Sequence, residues 1–299
     1  MSAPTPSPSP ICYVFEKSTF FQNNPHACLP TPAEVRAQCK FPGASIESFG
    51  LYPPPARFPH LGLLVKFGHG ASVTEGECLA FLRRQGITFA PEIYGWTTEG
   101  DVVYLYMELI PGVTLSQRWD WLSASQKEAI ALELNEMMGK VRCVHLDSST
   151  PYIGSVGRRP LQDRILEQRR GAPLMTFDSV TALHDFFMRP TLFDPTVQHP
   201  HRGDLPDDVE IQLTHGDLHL GNIIVSAPSW WTKEGLVPHV MAIVDWHQAG
   251  WMPSYWEYCK ALWTVSPDRE EWATAYLPKI IDCPAVVGAW LQRAAEFAV

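Results

Sequence analysis

With 299 residues, 33.6 kDa and 45% hydrophobic residues, the chain can bury one large core or two smaller ones, so two lobes are within reach. A formal net charge of -9, a pI near 5.6 and no clustered run of Lys and Arg argue against nucleic acid as a partner, because a phosphate backbone needs such a cluster. No apolar run approaches the roughly 18 residues that cross a bilayer, so no membrane partner is expected and the protein is expected in the cytoplasm.

The chain opens on "MSAPTPSPSP", with proline at every second position from Pro4 to Pro10 and neither a basic region nor an apolar core. This reads as a disordered tail, not a signal peptide, at the head of an N-terminal extension over residues 1–40. "LGLLVKFG", Leu61 to Gly68, is a short apolar run that suits a buried strand presenting Lys66 near its end. "TEGECLAFLRRQG" predicts a short helix with Thr74 as N-cap, Leu79 and Leu82 on one face, and an end near Gly86. In "DVVYLYMELIPG", Val103, Leu105 and Met107 alternate with Tyr104, Tyr106 and Glu108, a strand that breaks at Pro111 and Gly112.

From Ser123 the period changes. Ser123 and Gln126 make a capping box, and Ile130, Leu134, Met137 or Met138, Val141 and Val144 recur at helical spacing, which predicts a long amphipathic helix. Pro151 to Gly171 reads as loop with a short helix, and Asp178 as the cap of the helix that follows. Arg189 to Asp208 is a proline-rich irregular stretch, and loops of that length usually serve a function or are disordered. The seven cysteines are odd in number and lack a Cys-x-x-Cys pair, so they are expected as reduced, mostly buried thiols.

The densest chemistry is "THGDLHLGNIIV", Thr214 to Val225, which sets polar residues directly before a β-branched run. A second apolar strand, "VMAIVDWHQAG", delivers Asp245, 28 residues after Asp217. Two strands that carry acids and an amide at their ends make a hairpin-like platform for a cation. Phosphoryl transfer calls for such a platform: magnesium prefers carboxylate, amide and phosphate oxygens, and a separate carboxylate must orient the attacking hydroxyl. Asp217, Asn222 and Asp245 fill those roles.

"HGDLHLGNIIV" followed by "IVDW" resembles the aminoglycoside phosphotransferase and choline kinase-like family, whose fold is that of the protein kinases. "AIVDWHQAGWMPSYWEYCKA", "YIGSV" and "LLVKFG" resemble its fungal branch. The resemblance runs from about Leu61 to Leu262. It implies an α+β, two-lobed fold, with a small β-rich N-lobe at 41–110 that binds nucleotide and a larger, mainly helical C-lobe at 111–299. It also implies ATP and Mg2+ as cofactors and a small hydroxylated molecule as acceptor. By position, Asp217 becomes the catalytic base, Asn222 and Asp245 hold magnesium, and His215 and His219 support them. Lys66 grips the α- and β-phosphates and is held by Glu77. Glu108 to Ile110 read adenine through their backbone, with Met107 beside the ring.

Each assignment has a plainer rival. Asp217 and Asn222 could be turn residues bonded to their own backbone. Glu77 stands three residues after Thr74, so it could cap a helix instead of pairing with Lys66. Trp251 and Tyr255 could line an acceptor pocket or fill the core. Two places depart from the family pattern: no Gly-x-Gly-x-x-Gly precedes Lys66, which leaves phosphate covering loose or assigned to Ser45 and Ser48, and His247 stands where an acidic residue is common. A degenerate kinase fold that binds without turnover, and a metallohydrolase using His215, Asp217 and His219, therefore remain as alternatives. The acceptor is expected against the helix near Asp178 to Met188, the loop after it and the segment from Trp251 to Tyr258. There Asp204, Asp207, Asp208 and Glu210 with Trp251, Tyr255 and Trp256 would suit a cationic or aromatic molecule.

Overall fold

Leu63, Val65 and Phe67 point one way and Leu64 and Lys66 the other, and this period of two makes a strand of the first unit's sheet. The computed structural model describes residues 12–39, 53–146, 150–167, 175–189, 199–227 and 238–296. Contacts divide the chain into two compact units, Met1–Ile110 and Pro111–Val299.

The first unit runs β1 (Tyr13–Val14), α1 (Thr19–Asn23), α2 (Pro32–Gln38), β2 (Ala56–Phe58), β3 (Leu63–Phe67), α3 (Val73–Arg84), β4 (Ile93–Glu99) and β5 (Val102–Glu108). Its five strands form one antiparallel sheet in the order β1-β4-β5-β3-β2. The extension is part of this unit's core. Phe20 and Val35 pack with Phe58, Val65, Tyr94 and Tyr106, the Tyr106 hydroxyl donates to Pro30 O at 2.7 Å, and Arg36 donates to the Tyr104 hydroxyl at 2.7 Å. Both faces of β5 are consequently covered, so Tyr104 and Tyr106 are as buried as Leu105.

α3 starts at Ser72, not at Thr74: Ser72 Oγ accepts from the Glu75 N–H at 3.1 Å. Both residues stand in a Ser/Thr-x-x-Glu pattern, so the capping signal alone admits either start. Starting at Ser72 turns Glu75, Cys78, Leu79 and Leu82 onto one buried face.

The second unit continues with β6 (Val113–Thr114), α4 (Leu115–Arg118), α5 (Ala124–Arg142), α6 (Arg164–Glu167), α7 (Val180–Phe187), β7 (Ile211–Thr214), β8 (Ile223–Val225), β9 (Val240–Ile243), β10 (Gly250–Pro253), α8 (Trp256–Trp263), α9 (Leu277–Ile280) and α10 (Val287–Ala295). α5 carries the Ser123–Gln126 capping box and buries Ile130, Leu134, Met138 and Val141. The cap of α7 is Ser179, whose Oγ accepts from Ala182 N–H at 3.1 Å; the expected cap, Asp178, lies one residue outside the helix. Short strands pair as β10-β7 and as β6-β8-β9. A core of Ile153, Phe187, Trp256, Trp290 and their neighbours lies under α7, α8 and α10.

All seven cysteines are free, but only Cys78 and Cys259 are buried; Cys12, Cys28, Cys143 and Cys283 are exposed and Cys39 is intermediate. The expectation of mostly buried thiols is corrected accordingly. Among the described residues no helix is long and apolar enough to cross a membrane.

Candidate active site

The segment His215 to Asn222 leaves β7, turns, and enters β8. Gly216 has φ +77, and a Cβ there would lie 2.6 Å from Gln248 O, so glycine is required for both conformation and space. His215 is fully buried. Its Nδ1 accepts the Asp217 N–H at 3.2 Å, so Nε2 carries the hydrogen and donates to Val244 O at 3.0 Å. Burial holds its pKa below the ordinary value, against the pull of Asp217, and the Trp246 ring meets it edge-on at 4.6 Å. A neutral imidazole with both nitrogens engaged is a brace, and it has no nitrogen left for the zinc of a metallohydrolase.

Glu257 on α8 holds the same turn from the other side. Its carboxylate accepts the N–H of His215 and that of Gly216, the latter at 3.2 Å. Burial pushes its pKa up to about 7, opposed by those two N–H donors. The turn that presents Asp217 is thus fixed by backbone capture.

Asn222 Nδ2 donates to Asp217 O at 2.9 Å and lies 3.5 Å from Asp217 Oδ2. With its nitrogen so committed, the amide oxygen is the atom left for a cation. β8 pairs with β9 at Ile223 and Ile243, and Val244 N–H donates to Asn222 O at 2.8 Å, so the strand ends bearing Asn222 and Asp245 lie side by side. Asp245 has φ 66 and ψ 61, a left-handed conformation unusual outside glycine. His219 Nδ1 accepts from Gly221 N–H at 3.0 Å, which leaves the hydrogen on Nε2, 4.0 Å from Asp217 Oδ2.

Among the described residues no group of three or more His, Cys, Asp or Glu could hold a metal. Magnesium does not ask for one: it is usually bound by one or two carboxylates together with substrate phosphates and water. One carboxylate, that of Asp245, and the Asn222 amide oxygen, both hard donors, fit that ion.

In the first unit, Lys66 Nζ lies 2.8 Å from Glu75 Oε2. The expected partner was Glu77. Glu75 is turned inward, with its side chain 2% exposed, while Glu77 is only partly buried. Met107 and Glu108 end β5; Glu108 N–H donates to Glu92 O at 2.8 Å and Leu109 N–H to Gly62 O at 2.9 Å, with Ile110 next in the chain. Ser45 and Ser48 lie outside the described residues.

The acceptor candidates fare differently. Trp251 and Tyr255 are 2% and 6% exposed, so neither offers a flat face to a ligand. Tyr255 donates its hydroxyl to His184 Nε2, whose Nδ1 lies 2.7 Å from Asp207. Asp207 is also paired with Arg202 at 2.8 Å, and Asp204 lies 2.7 Å from His201 Nδ1. Local basic groups thus engage two of the four acids that suggested a cationic acceptor.

The sequence profile of the phosphotransferase enzyme family (APH) matches residues 67–285, well over half of the chain. The chain belongs to this family. Among solved structures, the aminoglycoside phosphotransferase APH(3'')-Id from Streptomyces rimosus, in complex with ADP and streptomycin, is 14% identical with a TM-score of 0.51, over 82% of this chain and 90% of that one. A second structure of the same enzyme gives 14% and 0.50 over 81% and 88%. The fold of this phosphotransferase is therefore the protein-kinase-like fold of the aminoglycoside phosphotransferases. No curated protein matches the chain.

The residues that sequence reading missed in this phosphotransferase are supports. Glu75 stood two residues from the choice made. Glu257 lies inside "YWEYCK", where an acid among aromatic residues on an otherwise buried helix was the available signal.

Proposed function

We propose that this phosphotransferase transfers the γ-phosphoryl group of ATP to a hydroxyl of a small molecule. The observation that carries the reading is the pair of adjoining turns at the ends of β8 and β9: one presents Asp217 and the Asn222 amide oxygen, the other Asp245. Asp217 accepts the proton of the acceptor hydroxyl, the hydroxyl oxygen forms the bond to γ-phosphorus, and the bond to the bridging oxygen breaks to release ADP. Asn222 and Asp245 are the ligands for magnesium, which supplies charge neutralisation on the phosphates when bound with the nucleotide. Lys66, oriented by Glu75, takes the α- and β-phosphates, and the Glu108 to Ile110 backbone beside Met107 takes adenine. His215 and His219 order the turn around Asp217. A cytoplasmic setting goes with the use of ATP.

The test is transfer from labelled ATP, with magnesium, to a library of hydroxylated metabolites. Aminoglycosides belong in that library because the solved relative is in complex with streptomycin. Label is expected in one acceptor class, with loss of transfer in Asp217→Asn. Tight magnesium-dependent ADP binding without transfer to any acceptor would favour a binding protein.

A further inference from the structure

One buried cluster lies outside the roles assigned so far. Lys260, on α8, is fully buried; its Nζ donates to Gln248 Oε1 at 2.8 Å and lies 3.2 Å from Asp163 Oδ2. Asp163 also accepts from Trp256 Nε1 at 3.0 Å and from the N–H groups of Ile165 at 2.9 Å and Leu166 at 3.3 Å. Gln248 Oε1 takes a second donor, Arg164 N–H, at 3.0 Å. Lys260 thus has two acceptors, and Gln248 Oε1 and the Asp163 carboxylate each take more than one donor.

Gln248 closes the short 3-10 turn that begins after Asp245. Asp245 is held left-handed, a conformation that costs a non-glycine residue about 1–2 kcal/mol and persists only where the surroundings over-determine it. One end of the turn is fixed by Val244 N–H on Asn222 O. The other end is fixed by the Gln248 side chain on Lys260. The main chain of Gln248 also abuts Gly216, so the turn bearing Asp217 rests on the same residue.

Stability alone gives a poor account of the pair, because replacing a buried ion pair by apolar groups of similar volume is often neutral or stabilising. A fully buried lysine keeps these two partners only while Gln248 and Asp163 hold their places, and that condition favours one arrangement of the turn.

We propose that Lys260 is a positioning residue, acting through Gln248 to hold the Asp245 turn in the geometry that binds magnesium with the nucleotide; this rests on the phosphotransferase reading above. Two variants separate the effect from simple loss of folding. Lys260→Met with Asp163→Asn removes both charges together, and Gln248→Leu leaves the ion pair and cuts its link to the turn. Calorimetry with ADP, with and without magnesium, is expected to show magnesium-dependent affinity weakened about 10- to 100-fold in both, as when groups supporting metal ligands are removed, with magnesium-free ADP binding unchanged. Hydrogen exchange of the metal-free protein is expected to be faster over 244–249 in both, and Gln248→Glu, which keeps an acceptor for Lys260, is expected to restore both readouts. Unchanged magnesium dependence and exchange in both variants, beside a wild type that binds MgADP, would overturn the inference alone. A wild type with no magnesium-dependent nucleotide binding would overturn the functional reading and this inference together.

Discussion

Lys66 and Asp217 are held in opposite ways. Lys66 stands on a regular strand, one-fifth exposed, and meets a carboxylate nine residues further along the chain on the next helix. Asp217 stands on a turn, and the groups that fix it are remote and buried: Val244 is 29 residues and Glu257 42 residues from His215. A side chain on a strand or helix inherits its direction from the element's period. A side chain on a turn inherits nothing, so its backbone N–H groups must be captured by acceptors from elsewhere in the fold.

The sharpest way to break this contrast is at Asp217 itself. Asp217→Asn is expected to lower turnover by roughly 10²- to 10⁴-fold, the share that a positioned general base contributes, with MgADP affinity and melting temperature unchanged. Asp245→Ala is expected to differ in kind, losing MgATP affinity in calorimetry because its carboxylate serves the donor and not only the acceptor. Equal MgATP affinity in Asp245→Ala and wild type would count against the metal role.

Next in size is the remote support. Glu257→Ala leaves the N–H groups of His215 and Gly216 buried without this acceptor, at about 1–3 kcal/mol each, so urea unfolding is expected to show a loss on the order of 2–6 kcal/mol. A loss below about 1 kcal/mol, the range of a surface ion pair, would erase the difference between the two regions.

The same contrast governs what the sequence made legible. The β3 strand, the α5 helix and its Ser123 cap follow from local periodicity, and the Asp217 and Asn222 turn from a compact motif. Ser72-x-x-Glu75 and Thr74-x-x-Glu77 are overlapping signatures two residues apart, and only the packing of α3 on its buried face chooses between them. The extension over residues 12–39 read as an appendage because neither its short helices nor its two-residue strand has a strong period, yet Phe20 and Val35 complete a core. Trp251 and Tyr255 admitted both a pocket wall and the core because aromatic rings serve either purpose, and burial is a tertiary fact.

A smaller effect is expected at the first unit's ion pair. Glu75→Gln keeps the volume of the buried side chain and leaves a partly exposed Lys66 facing an amide, so ADP affinity is expected to fall. Glu77→Gln is expected to weaken binding less. Equal losses in both variants, measured by calorimetry, would put the helix carboxylate back in dispute.

The subtlest consequence is a dependence on pH. Glu257 is held near 7 in the folded protein against an ordinary 4.5, because burial outweighs the two backbone donors. Between those values the folded protein keeps a proton that the unfolded chain has released, so the folded state binds more protons and stability falls as pH rises. The contribution is fully present below pH 4.5, declines through the window, and is gone above about pH 7, with a total of about 3 kcal/mol at most. Glu257→Gln has no proton to lose, so its urea midpoint is expected to lack this decline. A slope that survives in Glu257→Gln would place the proton on another carboxyl raised by burial, with Glu167 the first to test. If the slope vanishes, the carboxylate that captures the His215 and Gly216 N–H groups is also the one that titrates, and the brace beneath Asp217 carries a cost that depends on pH.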